Sequence, residues 1–337
     1  LLVTYDGCPT QTPVRIQAIP VPEVSGAVNI GNDRVMLIAD EGYDVGIVSN
    51  AGATFKMGET ISFQSNMKPA IASVTVRENK KLMNDIEDLA WDNKEQAAFV
   101  ITSHSLNKDQ EEKPARYKLA RLVFKDGNMD VSNLEVDLLK EALKEKFPFV
   151  SEAMKRPPEV GGNTGTFNIE GLAFDPRKGA LLIGLRSPTQ MPNGNPCAVV
   201  FTLKNPHELF QKDKPAPPEF DSKLNCLDLG GLGIRGMTYD DERKGYWIVA
   251  GRSDDPEPKA KPKPVLSSLW FWDSAKPNKP PRKAQTDSFG LVNLEGVCLL
   301  KIDGEQGLLL ISDDGDEKEN NVSRYLWIPI PKLPSSN

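Results

Sequence analysis

With 337 residues, 39% of them hydrophobic, the chain is long enough to bury one large all-β core or two average ones. A formal net charge of −6, from 41 basic against 47 acidic residues, argues against nonspecific nucleic-acid binding and against attraction to an anionic membrane, since both need clustered excess Lys and Arg. No stretch approaches the ~20 apolar residues of a membrane span, so the expectation is a soluble monomer with no membrane span.

In chain order, Val14 to Val21 alternates apolar and polar residues, the pattern of a half-buried strand, and Pro20 places it at an edge. Five versions of one motif follow, at Val24 to Val28, Asp85 to Asp92, Asn168 to Asp175, Gly233 to Asp240 and Asn293 to Leu300. Behind each comes a short polar gap and an apolar run that ends in polar residues: Ile38 to Glu41, Ile101 to His104, Ile183 to Arg186, Val249 to Arg252 and Ile311 to Asp314. Further strands are expected at Thr60 to Phe63, Ala70 to Val76, Tyr117 to Phe124, Ala198 to Leu203, Leu224 to Leu229, Leu269 to Asp273 and Arg324 to Ile330. Lys125 to Asn128 is turn chemistry, and the segments Pro256 to Pro264 and Pro277 to Pro281 read as long surface loops. One convincing helix lies near Val136 to Met154, within an insertion at 136–156, and Pro148 kinks or breaks it. Asn205 and Pro206 start a short helical turn.

Repeats of ~60 to 80 residues, each with three or four strands, match the blade of a β-propeller. The expected fold is therefore all-β, a single propeller domain over residues 1–337 with five blades, six being the alternative. The last repeat lacks a fourth strand, and the N-terminal strand at Val14 to Pro20 supplies it, closing the ring.

In such a blade the first strand lines the channel from top to bottom and the second returns. Ser25, Glu87, Glu170, Arg235 and Glu295 begin first strands, while Glu41, His104, Arg186, Arg252 and Asp313 end second strands, so both sets converge on the top rim. The first-strand glutamates are read foremost as groups that bond backbone amides of neighbouring blades. The varied second-strand ends read as a mixed-charge funnel for a polar small molecule, a glycan or a protein segment. The connections that carry the insertions emerge on the same face.

Asp313, Asp314 and Asp316 supply the hard oxygens that Ca²⁺ prefers, but without the spacing of an EF-hand loop they read foremost as an acidic, solvated turn, a Ca²⁺ site being the alternative. Two histidines exclude a three-His metal site. Ser103 and His104 are adjacent in a strand and point to opposite faces, so they form no nucleophile–base pair with each other. Cys298 is a core residue, Cys197 and Cys226 either pair or stay free, and the compartment leans to secreted or periplasmic, with cytoplasmic as the alternative.

The motifs Glu23 to Ala27 with Ala39 to Glu41, Asp85 to Leu89 with Ser103 to Ser105, Asn168 to Leu172 with Ile183 to Pro188, and Gly233 to Arg235 together resemble a bacterial family of unknown function, over about Glu23 to Ile330. That resemblance implies a bacterial origin and a propeller fold. More distantly the repeats look like those of esterase-like phytases, which implies a metal-assisted phosphoester or ester hydrolase with a calcium requirement. The Lys-rich phosphate cradle of that group is represented only by Arg186, Arg235, Arg252 and Lys259, Lys261 and Lys263.

Overall fold

A computed structural model describes residues 15–19, 24–32, 34–39, 44–50, 55–62, 83–107, 109–125, 128–130, 139–156, 166–189, 194–195, 197–253, 267–276, 279–286, 293–312 and 323–334. Their strands form five four-stranded antiparallel sheets. The first sheet holds β2 (Val24–Gly31), β3 (Arg34–Ala39), β4 (Asp44–Asn50) and β5 (Phe55–Ser62). The second holds β6 (Ile86–Asp92), β7 (Ala97–Thr102), β8 (Leu119–Lys125) and β9 (Asn128–Asp130). Next come β10 (Asn168–Asp175), β11 (Ala180–Ser187), β12 (Ala198–Leu203) and β13 (Asn225–Leu227), then β14 (Gly233–Asp240), β15 (Gly245–Gly251), β16 (Ser268–Asp273) and β17 (Arg282–Lys283). The last sheet joins β18 (Leu294–Ile302), β19 (Glu305–Ser312) and β20 (Ser323–Pro329) to β1 (Arg15–Ile19), which pairs antiparallel with β20, Arg15 opposite Trp327 and Ile19 opposite Ser323.

The second strands explain why these segments read as apolar runs rather than alternating ones. β7 and β15 are buried at every residue and β11 at every residue but Arg186, because both faces of their sheets are covered by other sheets. The core accordingly divides into five clusters, each shared by two neighbouring sheets. One of the five joins the last sheet to the first, through Cys298, Leu309 and Trp327 against Val24, Val35 and Leu37. First strands lie side by side in chain order, and β18 lies against β2. This is a propeller-like arrangement.

The helical insertion is two helices, α1 (Leu139–Lys146) and α2 (Pro148–Ala153), separated at Pro148, whose ring carries no N–H for the helical ladder. Leu139, Leu143, Phe147 and Val150 pack into the cluster between the second and third sheets, so the insertion is a wedge on that interface. Two short outer strands escaped the sequence reading. β9 completes a hairpin around the expected turn, with Lys125 opposite Asn128, and β17 follows directly on a proline-rich loop, where only two residues pair with β16. The helical start after Asn205 is a single 3-10 turn at Glu208–Phe210. Cys197 and Cys226 are joined in a disulfide with Cα atoms 5.0 Å apart, and Cys298 is a buried free thiol. The expected strand at Ala70 to Val76 and the loop at Pro256 to Pro264 lie outside the described residues.

Candidate functional site

Each of the five first strands is broken by a bulge at the same place. Val24 pairs with Ala39 but Gly26 with Ile38, and the same slip recurs at Ile86/Asp88, Ile169/Gly171, Ile234/Gly236 and Leu294/Gly296. The extra residue in each case is Ser25, Glu87, Glu170, Arg235 or Glu295, the set that the sequence places at the rim. A bulge re-aims the side chain of its extra residue, and here it puts one polar group from every sheet at the same end of the first strands.

Three of these meet. Glu170 Oε1 accepts from Arg186 at 2.8 Å and from Asn168 Nδ2 at 3.0 Å, and Glu170 Oε2 lies 2.9 Å from Arg235, which also reaches Glu295. The row Arg186–Glu170–Arg235–Glu295 crosses three sheets with alternating charge. The Glu170 side chain is 6% exposed and those of both arginines 15%, so the pairs are shielded from solvent screening. Asn168 Oδ1 is buried with no hydrogen-bond partner among the described residues. Ser25 Oγ donates to the Ile86 carbonyl at 2.7 Å, linking the first sheet to the second. Glu87 is buried and Arg252, just past β15, is partly exposed.

The end of β7 departs from the expected rim. His104 is fully buried, has φ of 55°, and turns its ring edge-on to Tyr117 with Nδ1 bonded to the Thr102 carbonyl at 2.9 Å, so Nδ1 carries the proton. Burial lowers its pKa to about 4, which keeps the ring neutral at neutral pH. Ser103 points elsewhere, to Ser105 Oγ at 3.0 Å and to Asp85, which is ion-paired with Arg116. Burial pushes the Asp85 carboxyl above its ordinary value against the opposing pull of Arg116 and Ser103. Ser103 and His104 thus lie apart as expected, but both follow the end of β7, and the left-handed backbone of His104 rather than strand alternation separates them. Glu41, Asp313, Asp314 and Asp316, together with Lys259, Lys261 and Lys263, lie outside the described residues.

The residue that sequence reasoning passed over is Asp88. The position after each bulge is Gly26, Asp88, Gly171, Gly236 and Gly296, so one carboxylate stands where four sheets have glycine. The glycines are required by close approach: a Cβ at Gly26 would lie 2.9 Å from Asp88 Oδ1, and one at Gly236 would lie 2.5 Å from the Glu295 carbonyl oxygen. Into this space Asp88 sends Oδ2 to the amides of Leu172 at 2.6 Å and Met237 at 3.3 Å, on the third and fourth sheets, while Oδ1 takes the Leu89 amide at 2.8 Å. In the second sheet Asp88 thus bonds amides of neighbouring sheets, the role expected of the first-strand glutamates, while Glu170 and Glu295 pair with arginines. Burial nevertheless pushes the Asp88 carboxyl well above the usual carboxylate range, against the three amide donors.

The far ends of the first strands carry a second set of links. Asp92, Asp175 and Asp240 each cap the turn that follows, through Lys94, Arg177 and Arg243 amides. Asp92 also holds His207 at 2.8 Å, and Asp175 takes the Tyr246 hydroxyl at 2.8 Å, each reaching the next sheet. Beyond them lies a blind cavity of about 330 Å³ to which all five first strands contribute, among them Leu89, Leu172 and Met237 below Asp88.

Among solved structures, the fold is similar to a GH43 β-1,3-galactosidase bound to galactodeoxynojirimycin, at 11% identity and a TM-score of 0.49 over 94% of both chains. It is also similar to the PQQ-bound aldose sugar dehydrogenase of Streptomyces coelicolor, at 10% identity and a TM-score of 0.38 over 95% of this chain and 99% of that one. YCF48 from Cyanidioschyzon merolae aligns at 12% identity and a TM-score of 0.35, over 90% of this chain and 66% of its own. No curated protein sequence matches the chain. A family match spans residues 73–257, from the second first-strand bulge through the fourth, and by that match over more than half its length the chain belongs to the family described as proteins of unknown function, DUF3616.

Proposed function

We propose that the chain is a closed five-bladed propeller that binds a hydroxyl-rich polar ligand, a glycan or a small polyol, at the channel end lined by the bulged residues. Closure is supported by the number of interfaces: an open row of five sheets has four, and here a fifth cluster joins the last sheet to the first. The row Arg186–Glu170–Arg235–Glu295 carries the functional reading. Its two positive and two negative groups balance, so it holds no excess charge to select an ion. Its donors and acceptors are instead fixed in place before a ligand arrives, which suits hydroxyl groups that both donate and accept. Arg252 directly follows Gly251, the end of β15, and the Gly251 position approaches the Arg235 side chain, which makes Arg252 the next candidate at this end. A disulfide supports an exported, secreted or periplasmic protein.

The experiment is a titration of neutral oligosaccharides by calorimetry, preceded by a thermal-shift screen that includes phosphoesters and peptides. The expected hit is a neutral sugar whose affinity falls at least tenfold in the double variant Arg186→Ala, Arg252→Ala. An unchanged affinity removes this end of the channel as the site.

A further inference from the structure

Glu170 and Arg235 form the central pair of the row Arg186–Glu170–Arg235–Glu295, at 2.9 Å, and they stand on different sheets. Leu172 and Met237 lie two residues further along the same two strands. Their amides share one acceptor, Asp88 Oδ2, at 2.6 and 3.3 Å. One oxygen of the second sheet is therefore bonded to both strands that carry the central pair, about 6–7 Å of strand away from it.

Asp88 is itself fixed. It is 1% exposed, its Oδ1 takes the Leu89 amide at 2.8 Å, and a Cβ at Gly26 on the first sheet would lie 2.9 Å from the same oxygen. Gly26, Gly171, Gly236 and Gly296 hold the equivalent position in the other sheets, so at this level the second sheet alone supplies a side-chain acceptor. First strands lie side by side in chain order, and the bond to Met237 thus joins two sheets that are not neighbours.

Apolar packing also holds β10 to β14, with Gly171 and Gly184 against the Ile234 and Met237 side chains. Such contacts are non-directional and set a distance only loosely. An amide–carboxyl hydrogen bond has a preferred length and angle, and a binding constellation needs its groups held to about 0.5 Å. The two Asp88 bonds meet that demand where packing alone does not.

We propose that Asp88 is a positioning residue for the ligand site of the bulged end: through the Leu172 and Met237 amides it holds Glu170 and Arg235 at the separation at which they receive a ligand's hydroxyl groups. This rests on the reading of that end as the site. Asp88 is buried and acts only through those two strands.

The test reads the row without a ligand. In protein carrying isotope-labelled arginine, the side-chain N–H signals of Arg186 and Arg235 are assigned by NMR with Arg186→Lys and Arg235→Lys, and their exchange with water is measured. In Asp88→Ala, exchange at Arg235 is expected to rise about tenfold, as for the loss of one well-placed hydrogen bond. Asp88→Asn keeps a carbonyl oxygen for the two amides and should stay within about threefold of the wild type. The pairs Arg177–Asp175 and Arg243–Asp240, at the far ends of β10 and β14, are the reference. General loosening of the two strands moves them as well, and a positioning role does not. Thermal melts establish folding. If Asp88→Ala fails to fold, Asp88→Gly, which gives the second sheet the residue that the other four carry there, is measured in its place. Unchanged exchange at Arg235, or an equal rise at Arg177 and Arg243, overturns the proposal. Sugar titration stays separate: a neutral oligosaccharide that binds wild type and Asp88→Ala equally overturns the positioning role and leaves the site. The expected exchange pattern in a chain that binds no neutral sugar overturns the site and leaves Asp88 as the residue that sets the row.

Discussion

Replacing Asp88 by alanine tests how the five sheets are held at their common centre. The substitution removes the acceptor of three buried amides, those of Leu89, Leu172 and Met237. Each unsatisfied buried donor costs about 1–3 kcal/mol, so the gross loss is about 3–9 kcal/mol. Part is returned because an acid that burial already disfavours is no longer held inside, leaving a net loss of about 3–5 kcal/mol. At about 2–4 °C per kcal/mol for chains larger than a small domain, the melting temperature should fall by roughly 6–20 °C. Asp88→Asn is the graded control, since its single carbonyl oxygen can still serve Leu172 and Met237, which share Oδ2 in the native chain. It should lose about 1–3 kcal/mol. Differential scanning calorimetry of the three proteins at one pH gives the order. A melting temperature for Asp88→Ala within about 2 °C of the wild type, against the expected fall of roughly 6–20 °C, would refute the reasoning.

Two of the buried titrating groups, Asp88 and His104, give opposite pH dependence. A raised acid stabilises the fold below its unfolded value, near 3.9, and loses that contribution as pH rises through its folded value. The advantage of wild type over Asp88→Asn should therefore shrink with rising pH in that window, by up to about 1.4 kcal/mol per pH unit. His104, lowered from 6.5 to about 4, contributes stability above 6.5 that is lost as pH falls toward 4, about 3 kcal/mol in all; His104→Gln should flatten that acid limb in denaturant titrations. Glu170→Ala leaves Arg186 and Arg235 without their shared carboxylate and should cost about 3–5 kcal/mol in urea unfolding. A loss below about 1 kcal/mol would mean that the row contributes no more than surface ion pairs do. Cys197→Ser with Cys226→Ser opens a loop whose ends are 29 residues apart in sequence and should cost about 3–4 kcal/mol, read by calorimetry against the oxidised protein. Deleting Leu1 to Val21 removes β1 and bares the edge of β20, so light scattering should report aggregation; a monomeric chain with unchanged melting would mean that the pairing adds nothing.

The sheets were legible because a fixed motif spacing survives every insertion, and because second strands covered on both faces must be apolar throughout. β9 and β17 were not legible: three and two residues long, they carry no periodicity, and the strand beside them specifies their pairing. The rim residues could be named, but a motif gives the end of a strand and not the direction of a side chain. The left-handed conformation of His104 takes its ring to Tyr117, and no pattern in Ser103 to Ser105 announces that. Asp88 did have a signal. Aligning the five motifs leaves one acid in a column of glycines, and an acid in the most crowded column of a fold must be satisfied by backbone amides or ruin it. The cavity gave none, because its lining is mostly short apolar runs, such as Leu89 to Trp91 and Leu172 to Phe174, of a kind that any buried strand shows.

One irregularity produces all three levels of the channel. The bulge lifts a polar side chain to the mouth, and the residue after it meets its neighbours so closely that a Cβ has no room at Gly26, Gly171 and Gly236, while Asp88 stands at the same position and bonds the amides of Leu172 and Met237. The three residues that follow on each of β6, β10 and β14 line the cavity at the far end, and all but Thr238 are apolar or aromatic. The Asp88 bonds tie the second sheet to the third and fourth, which makes Asp88→Asn a variant in which ligand affinity at the bulged end should be measured as well.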